Sequence, residues 1–462
     1  MSEFEQHHHR FQKPIENNQL GMDLQPSEEM QVEDTPSVTP DVDDNPIPYS
    51  YKSSDISEKI QDLLSRDLSR RDVLIAGGIL GAGVAFRMLR GGGIPVPDIK
   101  LPDISLPQIN TPEFGGTPKE GLLTLGQETD IKINQDGISW APDGLTPYYI
   151  NPDNEKVYIV AGNARCYSVK TKQGINFPDS FKDPNIVNNI KQAFGPDPSV
   201  TYNNPKRGSV EFRNGYSAIT SVISTDNPNV KYGITHNEEW AAQGNGDGFT
   251  ACVGMVQTQD GGETWQDMGP IIIGNNPKAP ELGTPVSGVG EPCGIKIGND
   301  IFIYYIDWTK PVNELYLAKR SLQGTSLGPV EYFTGDGFTT SYVPEALVPV
   351  IPLPKEQNSM YTALPDVSYN KKLNQYMALF TTNLGLMQTL STDGINWGEA
   401  KTVKAFDHPK ESDPNNWISY FTYLSDTIEN TDQITDGTGI LLGARRVDGD
   451  AHSPIVFPAS IA

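Results

Sequence analysis

The sequence predicts an all-β domain over residues 121–462, a five-bladed β-propeller closed by pairing its N- and C-terminal strands. Two observations predict it. Short runs rich in β-branched and aromatic residues, such as Tyr216–Ile223 and Ile301–Ile306, alternate with turn clusters along this whole stretch. Five of those turns also share one frame, and a turn repeated at blade intervals marks a radial repeat.

The fullest copy is Thr258-Gln-Asp260-Gly-Gly262-Glu-Thr264-Trp265, which matches the Asp-box pattern S/T-x-D-x-G-x-T-W at every position. Ser391-Thr-Asp393-Gly394-Ile-Asn-Trp397 and Asn134-Gln-Asp136-Gly137-Ile-Ser-Trp140 are one residue shorter. Thr171–Phe177 and Ser321–Leu327 keep the frame in degraded form. The chemistry is that of a hairpin: Asp accepts from turn N–H groups, Gly takes positive φ, and the aromatic folds back onto the sheet. These Asp residues are therefore assigned to turns and to no catalysis.

The runs between the turns fill five blades. The first extends from Pro147-Tyr-Tyr-Ile through Val157-Tyr-Ile-Val to the turn at 171–177. The second holds Tyr216–Ile223, Val230–Thr235 and Ala251–Val256, and the third Gly294–Ile297 and Ile301–Ile306 around an Asn299-Asp300 hairpin. The fourth contains Val367-Ser-Tyr, Gln375–Phe380 and Leu386–Leu390. Only Ile418–Leu424 and Gly439–Ala444 are found for the fifth, so its outer strand is expected from Asp130-Ile-Lys-Ile and the turn at 134–140. Pairing the two termini in one blade leaves no open edge.

Ahead of this domain the composition changes three times. Residues 1–68 carry 15 acids against 5 Lys/Arg and few aromatics, the composition of a disordered acidic tail. Residues 69–90 open with Ser69-Arg70-Arg71-Asp72-Val73-Leu74 and continue with the Gly/Ala-rich apolar run Ile75–Phe86. This resembles the twin-arginine export signal, which implies the twin-arginine translocation machinery as a partner, an exported protein, and membrane anchoring through residues 73–89 if the signal stays uncleaved. Residues 91–120 have a proline every few positions and read as an extended spacer.

The formal net charge of −23 argues against a nucleic-acid partner, which would need a basic footprint. Three cysteines, Cys166, Cys252 and Cys293, form neither a disulfide framework nor a metal spacing and read as buried small hydrophobes. No metal site is expected from the sequence and no cofactor, although acidic rims could hold a structural calcium at the axis without any EF-hand-type loop.

In a propeller the residues just before each blade's first strand face one funnel. Those positions are Asp143, Arg213 with Asn214, Glu291, Asp366 and Trp417, with His236 and Glu239 in the nearby His236-Asn-Glu-Glu239-Trp run. Carboxylates with an aromatic face suit glycoside cleavage, in which one acid protonates the leaving oxygen, one carboxylate activates water, and a ring stacks on the sugar. Asp143, Glu291 and Asp366 are thus the catalytic candidates, and Arg213, Asn214, His236, Glu239 and Trp417 the substrate-binding ones.

Residues 123–460 resemble the five-bladed glycoside hydrolases of the family 43/62 and 32/68 kind. Pro142-Asp143-Gly looks like their first-blade segment, whose Asp is the general base. Gly290-Glu291-Pro292 looks like their third-blade segment, whose Glu is the general acid. The second-blade Asp that tunes the acid is absent where Phe212-Arg213-Asn214-Gly stands, and Asp366 or Glu239 is the substitute. The resemblance implies an exported or tethered glycosidase of the inverting kind acting on a polysaccharide or oligosaccharide. A non-catalytic carbohydrate-binding propeller is the main alternative. A sialidase shares the turns but wants three arginines around a carboxylate, and Arg213 is followed by Asn-Gly.

Overall fold

The computed structural model describes residues 121–130, 143–162, 164–172, 177–180, 189–204, 208–240, 249–274, 286–310, 314–351, 364–382, 385–405, 417–426, 431–446 and 453–461, with short pieces at 134–135, 138–139 and 186. The expectations for the acidic tail, the arginine pair and its apolar run, the Pro-rich spacer and Asp136 lie outside these residues. Apart from the helical turn Phe177–Ser180 and the 3-10 turn Pro344–Ala346, the regular elements described are strands. Among the described residues no helix is long and apolar enough to cross a membrane.

The strands form five antiparallel meanders in chain order. The first is Tyr148–Ile150, Glu155–Gly162, Arg165–Lys172 and Lys191–Phe194. The second is Tyr216–Ser224, Lys231–Trp240, Phe249–Thr258 and Gln266–Ile272. The third is Val286–Ile297, Asp300–Asp307, Leu315–Gln323 and Ser326–Phe333. The fourth is Asp366–Asn370, Gln375–Thr382, Gly385–Ser391 and Lys401–Lys404.

The fifth meander pairs the two ends of the domain, as expected, but with one strand more than the sequence predicts. Trp417–Ser425 and Thr438–Arg446 are followed by Ser453–Ile461; the outer position is filled by Leu123–Leu125, with Leu123 opposite Ile461, and then by Thr129–Asp130, where Asp130 lies opposite Ile455 as the sequence led one to expect. The turn strands at 134–135 and 138–139 pair only with each other. The run 453–461 escapes notice because Pro454 and Pro458 interrupt it, and proline normally demotes a run to an edge. Here the run is a third strand with Leu123–Leu125 beyond it, and the Pro458 carbonyl still accepts from Gly126 N–H at 2.7 Å.

Apolar clusters join each meander to the next. Tyr149, Val157 and Ile159 pack with Ala218, Ile219 and Val222. Ile234 and Val253 pack with Ile301 and Ile303, Tyr304 and Leu317 with Val367 and Phe380, and Met377 and Leu386 with Phe421 and Phe457. A further cluster sets Tyr148, Tyr158 and Val160 of the first meander against Leu424, Leu442 and Val456 of the last. Sheets packed face to face in this way rely on apolar burial, about 25 cal/mol per Å².

Two turns add polar staples. In the 258–265 turn, Thr258 Oγ1 accepts from Gly262 N–H at 2.9 Å, and Asp260 accepts from the Thr264 N–H and hydroxyl at 3.0 and 2.6 Å. Slight burial raises the Asp260 pKa, but these donors outweigh it and hold it at about 2. Tyr149 of the first meander donates to the Gly262 carbonyl at 3.2 Å, as Tyr304 of the third does to Gly394 at 2.6 Å in the turn at 391–397.

The segment 431–437, between the first two strands of the fifth meander, touches all five. Asp432 N–H donates to Tyr148 O at 3.4 Å, and Gln433 Nε2 donates to Val222 O at 2.9 Å. Gln433 Oε1 accepts from Lys296 N–H at 3.1 Å, Ile434 and Thr435 pair with Tyr369 and Asn370, and Asp436 N–H donates to Ser425 Oγ at 3.1 Å. In the second to fifth meanders these contacts meet the C-terminal parts of the first strands, at Val222, Lys296, Tyr369–Asn370 and Ser425.

Candidate active site

A pocket of about 340 Å³ is lined by Asp143, Ala164, Tyr216, His236, Glu238, Trp240, Glu291 and Tyr420. It therefore draws on the first, second, third and fifth meanders. Three carboxylates, a histidine and three aromatic rings make it acidic and amphipathic, and no Lys or Arg is among the lining residues.

Backbone strain concentrates here. Five non-glycine residues among those described have φ in the left-handed region. Two are asparagines, Asn154 and Asn374, which tolerate it. The other three, Ala164 (64°), Glu291 (46°) and Tyr420 (58°), all line this pocket. Each such residue costs about 1–3 kcal/mol, and outliers of this kind persist where surrounding structure over-determines them.

Two of the three come from β-bulges. In Val286–Ile297 the pairing jumps from Gly290↔Ile306 to Cys293↔Tyr304, so Glu291 and Pro292 leave the ladder. Glu291 also precedes proline, whose ring pushes the preceding residue toward extended φ. In Trp417–Ser425 the pairing jumps from Ser419↔Ala444 to Thr422↔Leu442, which frees Tyr420 and Phe421.

His236, Glu238 and Trp240 occupy alternate positions of one strand and so share a face. His236 is the centre of the polar network. Its Nδ1 accepts from the Glu291 N–H at 3.1 Å, and its Nε2 lies 3.1 Å from Glu238 Oε1 and 3.8 Å from Glu291 Oε1. Glu238 Oε2 in turn accepts from the Trp240 indole N–H at 2.6 Å. The His236 ring is boxed by Tyr216, Trp308 and Phe249 at centroid distances of 5.5, 6.0 and 6.2 Å. Gly290 makes room for it, since a Cβ there would stand 2.6 Å from His236 Cε1 and from the Trp308 ring.

Burial sets the electrostatics. Desolvation raises the Glu291 pKa to about 7; the His236 ring opposes this, and the charges of Glu238 and Asp143 add to it. Burial works against a charge on His236, yet Glu291 and Glu238 outweigh it and raise its pKa above the ordinary value. Asp143 is fixed through its backbone: its N–H donates to Ala161 O at 3.3 Å, and its carbonyl accepts from the Tyr216 hydroxyl.

Of the residues singled out in the sequence, the structure brings Asp143, Glu291 and His236 together in this pocket. Glu239 is not there. Strand alternation turns it to the opposite face and puts Glu238 in its place. Arg213 is buried elsewhere, with Nη1 2.7 Å from Asp267 Oδ2, Nη2 donating to Gly195 O at 2.7 Å, and its guanidinium over the Phe194 ring. Asn214 does not line the pocket but clamps Trp240: its Oδ1 accepts from the Trp240 N–H at 2.7 Å and its Nδ2 donates to the Trp240 carbonyl at 3.3 Å.

Asp366 is buried in the fourth meander outside the lining, where Oδ2 accepts from Tyr423 N–H at 2.8 Å. Burial raises its pKa to about 7. Trp417 opens the first strand of the fifth meander, and its side chain lies outside the described residues. Among the described residues no group of three His, Cys, Asp or Glu side chains is placed to hold a metal ion.

Sequence reasoning missed Ala164, Tyr216, Glu238, Trp240 and Tyr420 as site residues. For Glu238 and Trp240 a signal existed, because His, Glu and Trp at every second position of a strand load one face. For Tyr420 none did, since nothing in Ile418–Leu424 marks a bulge.

No protein-family model matches the chain, and no curated protein does. Solved structures similar to it include the catalytic domain of a Coprinopsis cinerea GH62 α-L-arabinofuranosidase, at 11% identity over 74% of this chain and 98% of that one, with a TM-score of 0.43. A family 117 glycoside hydrolase from the marine bacterium Zobellia galactanivorans is similar at 12% identity over 74% and 90%, with a TM-score of 0.39. A thermostable family-43 glycoside hydrolase is similar at 9% identity over 70% and 92%, with a TM-score of 0.35.

Proposed function

We propose that the five meanders are the blades of a propeller and that the chain is a glycoside hydrolase working at this pocket. One observation carries the reading. A half-buried carboxyl with a pKa of about 7, Glu291, is held in a strained conformation in the same pocket as a second carboxyl, Asp143. Two carboxyls in one pocket, one of them able to keep its proton near neutrality, are what acid–base cleavage of a glycosidic bond requires.

In the inverting form, Glu291 donates its proton to the glycosidic oxygen as that bond breaks. Asp143 takes a proton from a water whose oxygen bonds to the anomeric carbon from the opposite side. Each turnover leaves Glu291 ionised and Asp143 protonated, and exchange with solvent restores both. Trp240, 39% exposed and tied by its N–H to Glu238, supplies a flat apolar face for a sugar ring. The arginine pair and apolar run at residues 69–90, with the Pro-rich spacer after them, support an exported enzyme held off a membrane.

The test is hydrolysis of a broad panel of oligosaccharides and polysaccharides by the full chain, with Glu291→Gln in parallel. The expected result is turnover of at least one glycan, inversion at the anomeric carbon, and a loss of about 10²–10⁴-fold in kcat in the variant with unchanged circular dichroism. Binding of glycans without turnover, unaffected by Glu291→Gln, would instead make this a carbohydrate-binding propeller.

A further inference from the structure

We propose that His236 is a positioning residue: its Nδ1 accepts the Glu291 N–H and holds that residue in its left-handed conformation, while its Nε2–H orients Glu238. The catalytic part of this inference rests on the reading of Glu291 as the acid.

The starting point is the bulge. Once Glu291 and Pro292 leave the ladder, the Glu291 N–H loses any strand partner, and Pro292 has no N–H at all. A backbone donor taken out of the ladder and half-buried needs an acceptor, and here it is the imidazole nitrogen 3.1 Å away. No sheet hydrogen bond competes for it. The contact ties the two meanders together at the strained residue itself.

A backbone amide can only donate, so Nδ1 must be the unprotonated nitrogen of the ring. The neutral ring then carries its proton on Nε2, facing Glu238 Oε1 at 3.1 Å and Glu291 Oε1 at 3.8 Å. One ring thereby serves both carboxylates: it fixes the backbone of one and donates to the side chain of the other. A second proton would enter at Nδ1 and confront the Glu291 N–H, so the latch and the charged ring exclude each other.

The ring has no room to turn away. Tyr216, Phe249 and Trp308 surround it, and Gly290 approaches so closely that even a methyl group would collide with it. Glu238, Glu291 and Asp143 are the charged groups whose fields reach the ring.

Two substitutions separate the halves of the contact. In His236→Asn the amide oxygen can stand near the position of Nδ1 and keep accepting from Glu291, but the donor to Glu238 is lost. In His236→Gln the amide nitrogen can stand near Nε2 and keep that donor, but the acceptor is lost. The latch predicts that His236→Gln loses about 100-fold in kcat, as a misplaced acid does, with little change in KM. His236→Asn should stay at least about 10-fold above it. The reverse order, or equal losses in two folded variants, would overturn the proposal.

Nitrogen NMR of the full chain with ¹⁵N-labelled histidine gives a readout that needs neither a substrate nor a variant. At a pH above the ring's own raised pKa, the latch expects His236 protonated at Nε2 and bare at Nδ1. A proton on Nδ1 would end it whatever the kinetics. Should the wild-type chain turn over no glycan while the tautomer is as expected, the glycosidase reading fails and the latch stands.

Discussion

The buried carboxyl of Asp366 lies close enough to that of Asp432 for its charge to act on it. Burial first, and the Asp366 charge second, raise the Asp432 pKa to about 8. Asp366 itself is raised to about 7 by burial. Two acids that prefer to be neutral thus stand where the fourth meander meets the 431–437 segment.

This pair contributes to the pH dependence of stability. A carboxyl whose folded pKa exceeds its unfolded value binds more protons in the folded state across the interval between them, so stability falls as pH rises through it. For Asp366, Asp432 and Glu291 that interval runs from about 4 to about 7–8. The melting temperature is therefore expected to drop between pH 5.5 and pH 8.5. Asp432→Asn should flatten the decline, and an equally steep profile in the variant would refute the assignment.

Catalysis should show the opposite limb of the same physics. With Glu291 protonated only up to about pH 7, kcat/KM is expected to fall tenfold per pH unit beyond it. Since the Glu238 charge helps raise that pKa, Glu238→Gln should move the alkaline limb to lower pH. A limb that stays in place would mean that Glu238 does not tune the acid.

Trp240 is held by its neighbours as much as by its own contacts. A Cβ at Gly215 would stand 2.1 Å from the indole, so Gly215→Ala must displace the ring. Both Gly215→Ala and Trp240→Ala should raise KM for glycans by about tenfold, on the scale of about 1.4 kcal/mol for a lost sugar face. Asn214→Ala, which releases the Trp240 backbone, should follow the same direction more weakly. An unchanged KM in Trp240→Ala would remove the ring from substrate binding.

Gln433 links three meanders through one side chain and its own carbonyl. Gln433→Ala strands the buried Val222 carbonyl and the Lys296 N–H, at about 1–3 kcal/mol for each group left unpaired. Urea unfolding should report a loss of about 2–6 kcal/mol, the two groups together, at an unchanged m-value. A loss below about 0.5 kcal/mol would show that water replaces the side chain without cost.

The meanders were legible from the sequence because their signals are local: Tyr216–Ser224 is an unbroken β-forming run, and the turn at 258–265 announces itself in eight residues. Ser453–Ile461 was not, because whether its prolines are tolerated depends on which N–H groups the neighbouring strand needs. Of the candidate pocket, Asp143, His236 and Glu291 were legible, each next to a recognisable turn or strand start. Choosing Glu239 over Glu238 is an error of one residue, and one residue reverses the face of a strand. Arg213 went elsewhere because Asp267 meets it inside the second meander, a pairing that no spacing reveals. Tyr420 reaches the pocket through a bulge, and a bulge is set by the register of two strands rather than by the run of one.

The meeting of Leu123 with Ile461, together with the 431–437 segment that touches every meander, makes the finished domain depend on both ends of the stretch 123–461. At the ribosome, where about 5–20 residues emerge each second, the strand at 123–125 waits tens of seconds for a partner made last. Until then the first meander lacks its apolar cover from Leu442 and Val456, and the acid pocket lacks Tyr420. On a nascent or C-terminally clipped chain the first meander therefore stays uncovered on that side and the pocket is open where Tyr420 would stand.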